Sequence, residues 1–214
     1  MANIPFEPLI KFLLDGDHSQ AVAAARRMCS AGVQPERIVT QGIEAAMSRL
    51  DTKCTVEHFN LLEIMLTGRA VGAVIKELYP QGMPLDAHRH TLVIASLEGD
   101  VHELGKNIVK SVLTAKGYRI IDCGKDCPLE KIVNTAAREG AQAVLVSGLL
   151  TSVIPQVRQA RQALAAKGLA GLRVVAGGAV LKQARPEDLK VDFVAQNVFE
   201  GAHYLDRTIA GARP

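Results

Sequence analysis

The alternation of short apolar runs with helical patterns after residue 90 constrains the fold more than any other feature. Five runs rich in β-branched residues are separated by helical patterns near residues 103–116, 128–139, 152–168 and 199–210; they are TLVIASL, YRIIDC, AQAVLVSGLL, LRVVAGGAV and VDFVAQNV. Continuous apolar strands joined through about twelve residues of helix are typical of a parallel sheet covered on both faces. The pattern therefore predicts a doubly wound, flavodoxin-like (Rossmann-like) α/β domain of five parallel strands over residues 91–214.

The first 79 residues follow a different pattern, with apolar residues at helical spacing and no strand signal. Four helical segments are indicated: FEPLIKFLL, AVAAARRMCSAG, PERIVTQGIEAAMSRL and VEHFNLLEIMLTGRAVGAVIKEL. They predict a four-helix bundle over residues 1–79. Residues 80–90, rich in proline and glycine and without periodicity, are predicted to link the two domains.

Charge and composition exclude several classes of protein. The net charge is +3 and the 25 basic residues are scattered, so neither nucleic acid nor an anionic membrane is expected as a partner. The longest apolar runs have the length of strands, and the N-terminus lacks the pattern of a signal peptide, which favours a cytoplasmic protein. The four cysteines are then most simply free thiols, the CGKDC pair Cys123 and Cys127 included.

The motif GDVHELG follows the first predicted strand, where ligands bind in doubly wound sheets. A carboxylate beside an imidazole, here Asp100 and His102, can fix the ring tautomer and make the other ring nitrogen a better metal donor. No other histidine offers an obvious second ligand, so a metal held here must bring its remaining ligands, as a macrocyclic cofactor does. The alternative is a surface-loop histidine preceded by a helix-capping aspartate.

Polar or small residues also follow the third and fourth predicted strands. LVSGLLTS brings the hydroxyls of Ser147 and Thr151 to the same sheet edge, and VAGGAV brings Gly177 and Gly178. Hydroxyls and bare backbone suit a long, polar, phosphate-bearing tail. Each motif alone is more typical of an ordinary turn than of a binding site.

Taken together, the three motifs resemble those of cobalamin-binding domains that hold the cofactor base-off with a protein histidine on cobalt. That family pattern is DxHxxG, 41 residues, SxL, 26 to 28 residues, then GG. Here the intervening segments are residues 106–146, which number 41, and residues 150–176, which number 27. The matching positions are Asp100, His102 and Gly105, then Ser147 and Leu149, then Gly177 and Gly178.

Within this superfamily, EGDVHELGKNIV and SGLLT are similar to the corrinoid methyl carriers and to the cobalamin module of methionine synthase, whose helical cap domain the N-terminal bundle resembles. The resemblance implies a corrinoid protein that moves a methyl group from a substrate:corrinoid methyltransferase to a corrinoid:acceptor methyltransferase with a folate or thiol acceptor. The cobalt of cobalamin would cycle between Co(I) and methyl-Co(III), with repair by a reductive activase. Such a chain has no catalytic activity without its partners.

The resemblance also assigns roles to residues. It makes His102 the axial cobalt ligand, with Asp100 and Ser147 carrying the linked proton. The remaining positions expected to contact the cofactor are Gly99, Val101, Glu103, Gly105, Leu149, Thr151, Gly177, Gly178, Gln196, Asn197 and Val198. In the cap, the phenylalanine and leucine that cover the upper cobalt face in the family fall on Cys54 and Leu61, so the phenylalanine is missing, and Phe59 or Met65 is the candidate substitute.

Two other functions share the DxHxxG motif. One is the small subunit of an adenosylcobalamin mutase, which needs a substrate-binding barrel that this chain lacks. The other is a cobalamin sensor or regulatory binding module. The upper ligand of the bound cofactor distinguishes them, because a methyl group indicates the carrier whereas an adenosyl group indicates the mutase or the sensor.

Overall fold

The computed structural model describes residues 5–53, 60–81 and 90–209 of the chain. These residues form two compact units. The helical unit contains residues 5–53, 60–81 and 111–117, and the sheet unit contains residues 90–110 and 118–209. Most of the predicted linker lies outside the described residues, and the domain boundaries given above stay a prediction.

The helical unit contains the helices predicted from the apolar spacing. They are α1 (Glu7–Leu14), α2 (His18–Ser30), α3 (Pro35–Ile38), α4 (Glu44–Lys53) and α5 (Leu61–Leu78). Two helices begin at side-chain caps that satisfy otherwise unpaired amides: Asp17 accepts from the Gln20 N–H, and Asn60 accepts from the Glu63 N–H. Asn60 lies within the segment predicted as the fourth helix, so α5 begins at Leu61, five residues after the predicted start at Val56, and residues 54–59 lie outside the described part of the chain.

The predicted third helix is interrupted by one turn of π-helix, Val39–Ile43, which joins α3 to α4. Gly42 lies in this turn, and a Cβ atom there would come within 2.8 Å of Leu9 Cδ2. A larger residue at this position would force the Leu9 side chain of α1 to move. Apolar periodicity alone does not predict the interruption, because a single i→i+5 turn changes the hydrogen bonding of only a few residues within an otherwise helical segment.

The sheet unit is built on five parallel strands in the order β2-β1-β3-β4-β5. The strands are β1 (Thr91–Ser96), β2 (Arg119–Asp122), β3 (Ala143–Ser147), β4 (Arg173–Gly177) and β5 (Phe193–Val194). Five consecutive residues of β1, Leu92–Ser96, are buried, so both faces of this strand are covered. The flavodoxin-like fold predicted from the sequence is confirmed.

Helices connect the strands and end the sheet unit: α6 (Leu104–Ala115), α7 (Leu129–Arg138), α8 (Ile154–Ala166), the single turn α9 (Pro186–Leu189) and α10 (Val198–Thr208). Because the chain leaves β1 for β2 on one side and later returns to β3 on the other, strand order reverses between β1 and β3. The carboxyl ends of these two strands form the crevice in which such sheets bind ligands.

Two further findings bear on the class of protein. Among the described helices, none has the length and apolar character needed to cross a membrane. Cys29, Cys123 and Cys127 are free thiols, of which only Cys29 is exposed, while Cys54 lies outside the described residues.

Candidate functional site

Asp100 and His102 form a direct pair at the carboxyl end of β1. Asp100 Oδ1 lies 2.7 Å from His102 Nδ1 and also accepts the His102 backbone N–H at 2.9 Å. The second oxygen, Oδ2, accepts the Leu149 N–H at 2.6 Å. This last bond joins the loop after β1 to the loop after β3, so both sides of the crevice fix the same carboxylate.

The Asp100 side chain is completely buried. Burial alone would raise its pKa, but the two backbone N–H groups and the imidazole outweigh that effect and hold the pKa below its usual value of 3.8. Asp100 is therefore a carboxylate at neutral pH and can only accept hydrogen bonds. Asp100 therefore does more than cap a helix, because its buried carboxylate also joins the loop after β3.

His102 has its tautomer set by that carboxylate. Because Asp100 accepts, Nδ1 of a neutral ring carries the hydrogen and Nε2 keeps its lone pair. The side chain is 50% exposed, so the ring is not enclosed by the chain itself. The pair is thus suited to present Nε2 to an external metal.

Ser96, at the end of β1, supports the same loop and was not predicted from the sequence. Its side chain is buried and its hydroxyl donates to the His102 carbonyl at 2.7 Å. The available signal was a hydroxyl at the end of an otherwise apolar strand, in register with Ser147 of β3.

Three glycines near the crevice differ in the space around the position that a side chain would take. A Cβ atom on Gly105, in the first turn of α6, would meet no heavy atom within 4 Å, so the space beside it is open. Gly178 has a φ of +105°, and a Cβ there would lie 2.4 Å from the Gly148 carbonyl oxygen. Gly177 accepts the Gly148 N–H at 3.0 Å. The two-glycine motif therefore already has a structural role, the close packing of the loops after β3 and β4.

The predicted hydroxyl residues lie at the carboxyl end of β3. Ser147 is the last residue of the strand, and Thr151 is exposed at the start of a 3₁₀ turn, Thr151–Val153. Within the described part of the chain, the Ser147 hydroxyl forms no hydrogen bond with Asp100. The fixed partner of Asp100 from this loop is the Leu149 N–H, a backbone group that a sequence motif does not reveal.

The predicted residues after β5 have roles of their own in the start of α10. Asn197 caps the helix by accepting the N–H groups of Phe199 and Glu200 at 3.0 and 2.9 Å. Gln196 donates its side-chain amide to the Lys182 carbonyl at 3.2 Å, and Val198 is buried. These contacts order the segment whether or not it touches a cofactor.

Exposed apolar side chains border the Asp100–His102 pair. Val101, Leu104 and Leu150 are 59%, 52% and 41% exposed and belong to the loops after β1 and β3 and the start of α6. Only Val101 was predicted, although apolar residues directly beside the motifs were a usable signal. The Glu103 carboxylate already has two partners within the chain, because it accepts from the Asn107 side-chain amide and pairs with Lys125.

The helical unit contains the residues predicted to cover the upper cobalt face. Cys54 and Phe59 lie outside the described residues, and Leu61 is the first residue of α5. On the same helix, Leu62 and Met65 are exposed. The assignment of an upper-face residue stays a prediction.

The donor set fits a metal that arrives with its own ring. In the ranges that the structure describes, no group of three histidine, cysteine or acidic residues could hold a metal ion. His102 can therefore supply one nitrogen and no more. A corrin, which already gives cobalt four nitrogens, needs only such an axial donor, and the open space at Gly105 leaves room for a tail beside α6.

Comparison with known proteins agrees with this geometry. Residues 90–204 match the B12 binding domain family. The chain is 30% identical over 201 residues to dimethylamine corrinoid protein 2 of Methanosarcina mazei, covering 91% of this chain and 94% of that protein. It is 29% identical over 184 residues to dimethylamine corrinoid protein 1 of Methanosarcina acetivorans, covering 84% and 86%.

Solved structures share the fold. A cobalamin-binding protein from Desulfitobacterium hafniense aligns with a TM-score of 0.76 at 23% identity, over 95% of this chain and 98% of that one. The methanol:cobalamin methyltransferase complex MtaBC from Methanosarcina barkeri aligns with a TM-score of 0.83 at 20% identity, over 97% and 80%. The matches over the sheet unit and over nearly the whole chain lead to one conclusion: the chain belongs to the B12 binding domain family and is a corrinoid protein of the kind found in methyltransferase systems.

Proposed function

We propose that this protein carries a methyl group on base-off, His-on cobalamin between two methyltransferases. One partner would hold a methyl donor and the other a folate or thiol acceptor, and a reductive activase would restore the cofactor after accidental oxidation. The observation that carries the proposal is the buried Asp100 carboxylate, which holds His102 Nδ1 at 2.7 Å and leaves Nε2 free to ligate.

The cofactor, when bound, supplies a cobalt that accepts and releases the methyl group. His102 Nε2 would supply the protein nitrogen that holds the cobalt, and Asp100 would keep the imidazole ring oriented. An imidazole released from a metal becomes more basic, and the adjacent carboxylate stabilises the proton it then takes up. Ser147, at the end of β3, is the hydroxyl proposed to carry that proton together with Asp100.

The remaining cofactor contacts are proposed at the same sheet edge. Gly105 provides clearance beside α6, and Thr151 provides an exposed hydroxyl. The backbone around Gly177 and Gly178 would line the tail. The other proposed contacts from the sheet unit are Gly99, Val101, Glu103, Leu149, Gln196, Asn197 and Val198, with Leu61 of α5, Cys54 and Phe59 proposed for the upper face.

The names of the relatives guide the choice of donor. Two relatives are called dimethylamine corrinoid proteins and a third is trimethylamine corrinoid protein 1 of Methanosarcina mazei. A methylamine is therefore the first donor class to test, with methanol as the second because of the likeness to MtaBC.

Reconstitution tests the proposal. The purified chain, loaded with cobalamin and reduced, is incubated with a dimethylamine, trimethylamine or methanol methyltransferase and its substrate, and the visible spectrum is followed. Formation of a methylated, light-sensitive cofactor that a thiol methyltransferase then demethylates supports the carrier. A chain that binds adenosylcobalamin tightly and is methylated by none of these enzymes is instead a sensor or a mutase subunit.

A variant pair links the activity to the site. His102→Ala removes the axial nitrogen, whereas His203→Ala removes a histidine of α10 and serves as the control. We expect the first variant alone to change the visible spectrum and to slow methyl transfer. Equal spectra for both variants would contradict the ligand role of His102.

A further inference from the structure

Asp126, in the loop between β2 and α7 (residues 123–128, the β2–α7 loop), contacts the backbone that carries the Asp100–His102 pair. Its carboxylate accepts the Gly99 N–H at 2.7 Å. Its own N–H donates to the Asp100 carbonyl at 3.0 Å. One residue thus binds a donor and an acceptor on two consecutive residues of the β1–α6 loop.

The backbone of Asp126 is unusual. Its φ of +49° lies in the left-handed region, which among the described non-glycine residues is shared only by Lys190. Aspartate tolerates this region better than most residues, but the conformation still costs free energy compared with glycine. The structure therefore keeps a carboxylate where glycine would be less strained, and the contact with Gly99 accounts for that choice.

Three further hydrogen bonds join the β2–α7 loop to the end of β1 and the loop after it through main-chain atoms. The Ser96 N–H donates to the Gly124 carbonyl, the Cys127 N–H to the Ser96 carbonyl and the Glu98 N–H to the Cys127 carbonyl, each at 3.0 Å. These bonds extend the parallel pairing past the end of β1 and do not depend on the identity of a side chain. The Asp126 carboxylate is the side-chain contact that continues this pairing to Gly99.

A neighbouring ion pair is a weaker contact to the same loop. Glu103 directly follows His102 in the chain, and its Oε2 lies 3.2 Å from Lys125 Nζ. The Lys125 and Glu103 side chains are 52% and 43% exposed. Exposed pairs of this kind contribute little in water. The charge-assisted bond from a backbone N–H to Asp126 is the stronger of the two.

We propose that Asp126 is a positioning residue for the axial ligand: by holding Gly99 and Asp100 it sets the orientation from which His102 reaches the cobalt. The inference rests on the proposed role of His102 as that ligand. It adds the β2–α7 loop to the ligating machinery, with Asp126 acting through Asp100 and without touching the cofactor.

Three variants separate positioning from general folding. Asp126→Gly removes the carboxylate and relieves the backbone, Asp126→Asn keeps an oxygen acceptor and tolerance of the left-handed region, and Lys125→Met removes only the exposed ion pair. The cofactor-free full chain is measured first, by hydrogen exchange of single amides. In Asp126→Gly we expect the Gly99 amide to exchange about tenfold faster or more, because one charge-assisted hydrogen bond is lost. The Glu98 amide, which donates to the Cys127 carbonyl, should exchange at an unchanged rate.

The cobalamin-loaded variants are then measured in the Co(II) state by electron paramagnetic resonance, in which an axial nitrogen splits the cobalt lines. Asp126→Gly should weaken this splitting, whereas Asp126→Asn and Lys125→Met should keep it. Unchanged splitting in Asp126→Gly would overturn the proposal even if Gly99 exchange accelerates, as would equal loss of splitting in Lys125→Met. If the unmodified protein shows no nitrogen splitting, His102 is not the cobalt ligand, and the proposed role of Asp126 in positioning that ligand is overturned as well. In that case the Gly99 exchange rate still shows whether Asp126 holds the loop after β1.

Discussion

At the scale of the residue, the site depends on the buried Asp100 carboxylate, both of whose oxygens accept hydrogen bonds. The pairing of Asp100 with His102 could be predicted, because two side chains two residues apart after a buried strand must share a loop. The Leu149 N–H and the Ser96 hydroxyl could not, because no motif records which backbone amide or strand-end hydroxyl faces a loop 49 or 6 residues away.

Asp100→Asn tests how much the carboxylate contributes to the fold without cofactor. An amide has one oxygen, so it can replace only one of the two accepting positions, and its buried NH₂ group would face either the Leu149 N–H or the His102 donors. We expect a loss of about 1.5–3 kcal/mol in the free energy of unfolding, measured with urea. Asp17→Asn, a change at the exposed cap of α2, is the control and should leave stability nearly unchanged. Equal effects would show that burial of Asp100 is not what matters.

Gly105→Ala tests the open space beside α6. The new methyl group meets no atom of the chain, and alanine favours helix over glycine by up to about 1 kcal/mol, so the cofactor-free protein should not be destabilised. Cobalamin affinity should fall about tenfold if the tail passes this point. Gly72→Ala in α5, where a Cβ also meets nothing within 4 Å, is the matched control for binding measured by absorbance titration. Wild-type affinity in Gly105→Ala would place the tail elsewhere.

At the scale of the element, α6 is attached to β2 by a buried ion pair. Lys106, only 2% exposed, holds both Asp122 oxygens at 2.7 Å, and Lys110 and the Gly124 N–H contact the same carboxylate. The elements themselves could be predicted from apolar periodicity. This attachment could not, because it joins a helix face to a strand end and neither pattern encodes which charges meet.

Asp122→Asn should destabilise the protein by about 3 kcal/mol, because it leaves the Lys106 ammonium buried without its partner. The double variant Lys106→Met, Asp122→Asn should recover most of that loss, since a methionine side chain fills similar space without a charge. Unfolding curves in urea give both values. A double variant less stable than Asp122→Asn would mean that the lysine stabilises α6 by some other contact.

The same pair predicts a pH dependence. Burial alone would raise the pKa of Asp122, but Lys106, Gly124 and Lys110 hold it below 3.8. The stabilisation is therefore fully present above the unfolded-state pKa of about 3.8 and is lost as the pH falls through the lower folded-state value. The difference in stability between the wild type and Asp122→Asn should shrink over that interval. A difference that stays constant down to the lowest pH would contradict the assigned pKa direction.

At the scale of the whole molecule, the sheet unit places every predicted motif at one edge. The repeated βαβ pattern predicted a parallel sheet with the motifs at its carboxyl edge, whereas the order β2-β1-β3-β4-β5, which puts the crevice between β1 and β3, is given by the structure. The π-turn at Val39–Ile43 could not be predicted, because apolar periodicity does not show that Gly42 in this turn lies against Leu9 of α1.

Cofactor binding should stabilise the sheet unit by mass action. At a free cobalamin concentration about 100 times the dissociation constant, the free energy of unfolding rises by about 2.7 kcal/mol. Hydrogen exchange at the core amides of β1 and β3 measures this gain. Exchange that is unaffected by saturating cobalamin would mean that binding does not depend on the folded sheet.

The central claim is that His102 gives cobalt its lower axial nitrogen, and isotope labelling tests it most directly. The full chain is produced with ¹⁵N-histidine, loaded with cobalamin and reduced to the Co(II) state, and its electron paramagnetic resonance is compared with that of unlabelled protein. A histidine nitrogen on cobalt turns each three-line splitting into a two-line splitting, and labelled His102→Ala should lose the two-line splitting. A three-line pattern that persists in the labelled wild type, or a two-line pattern that survives in labelled His102→Ala, would contradict the account.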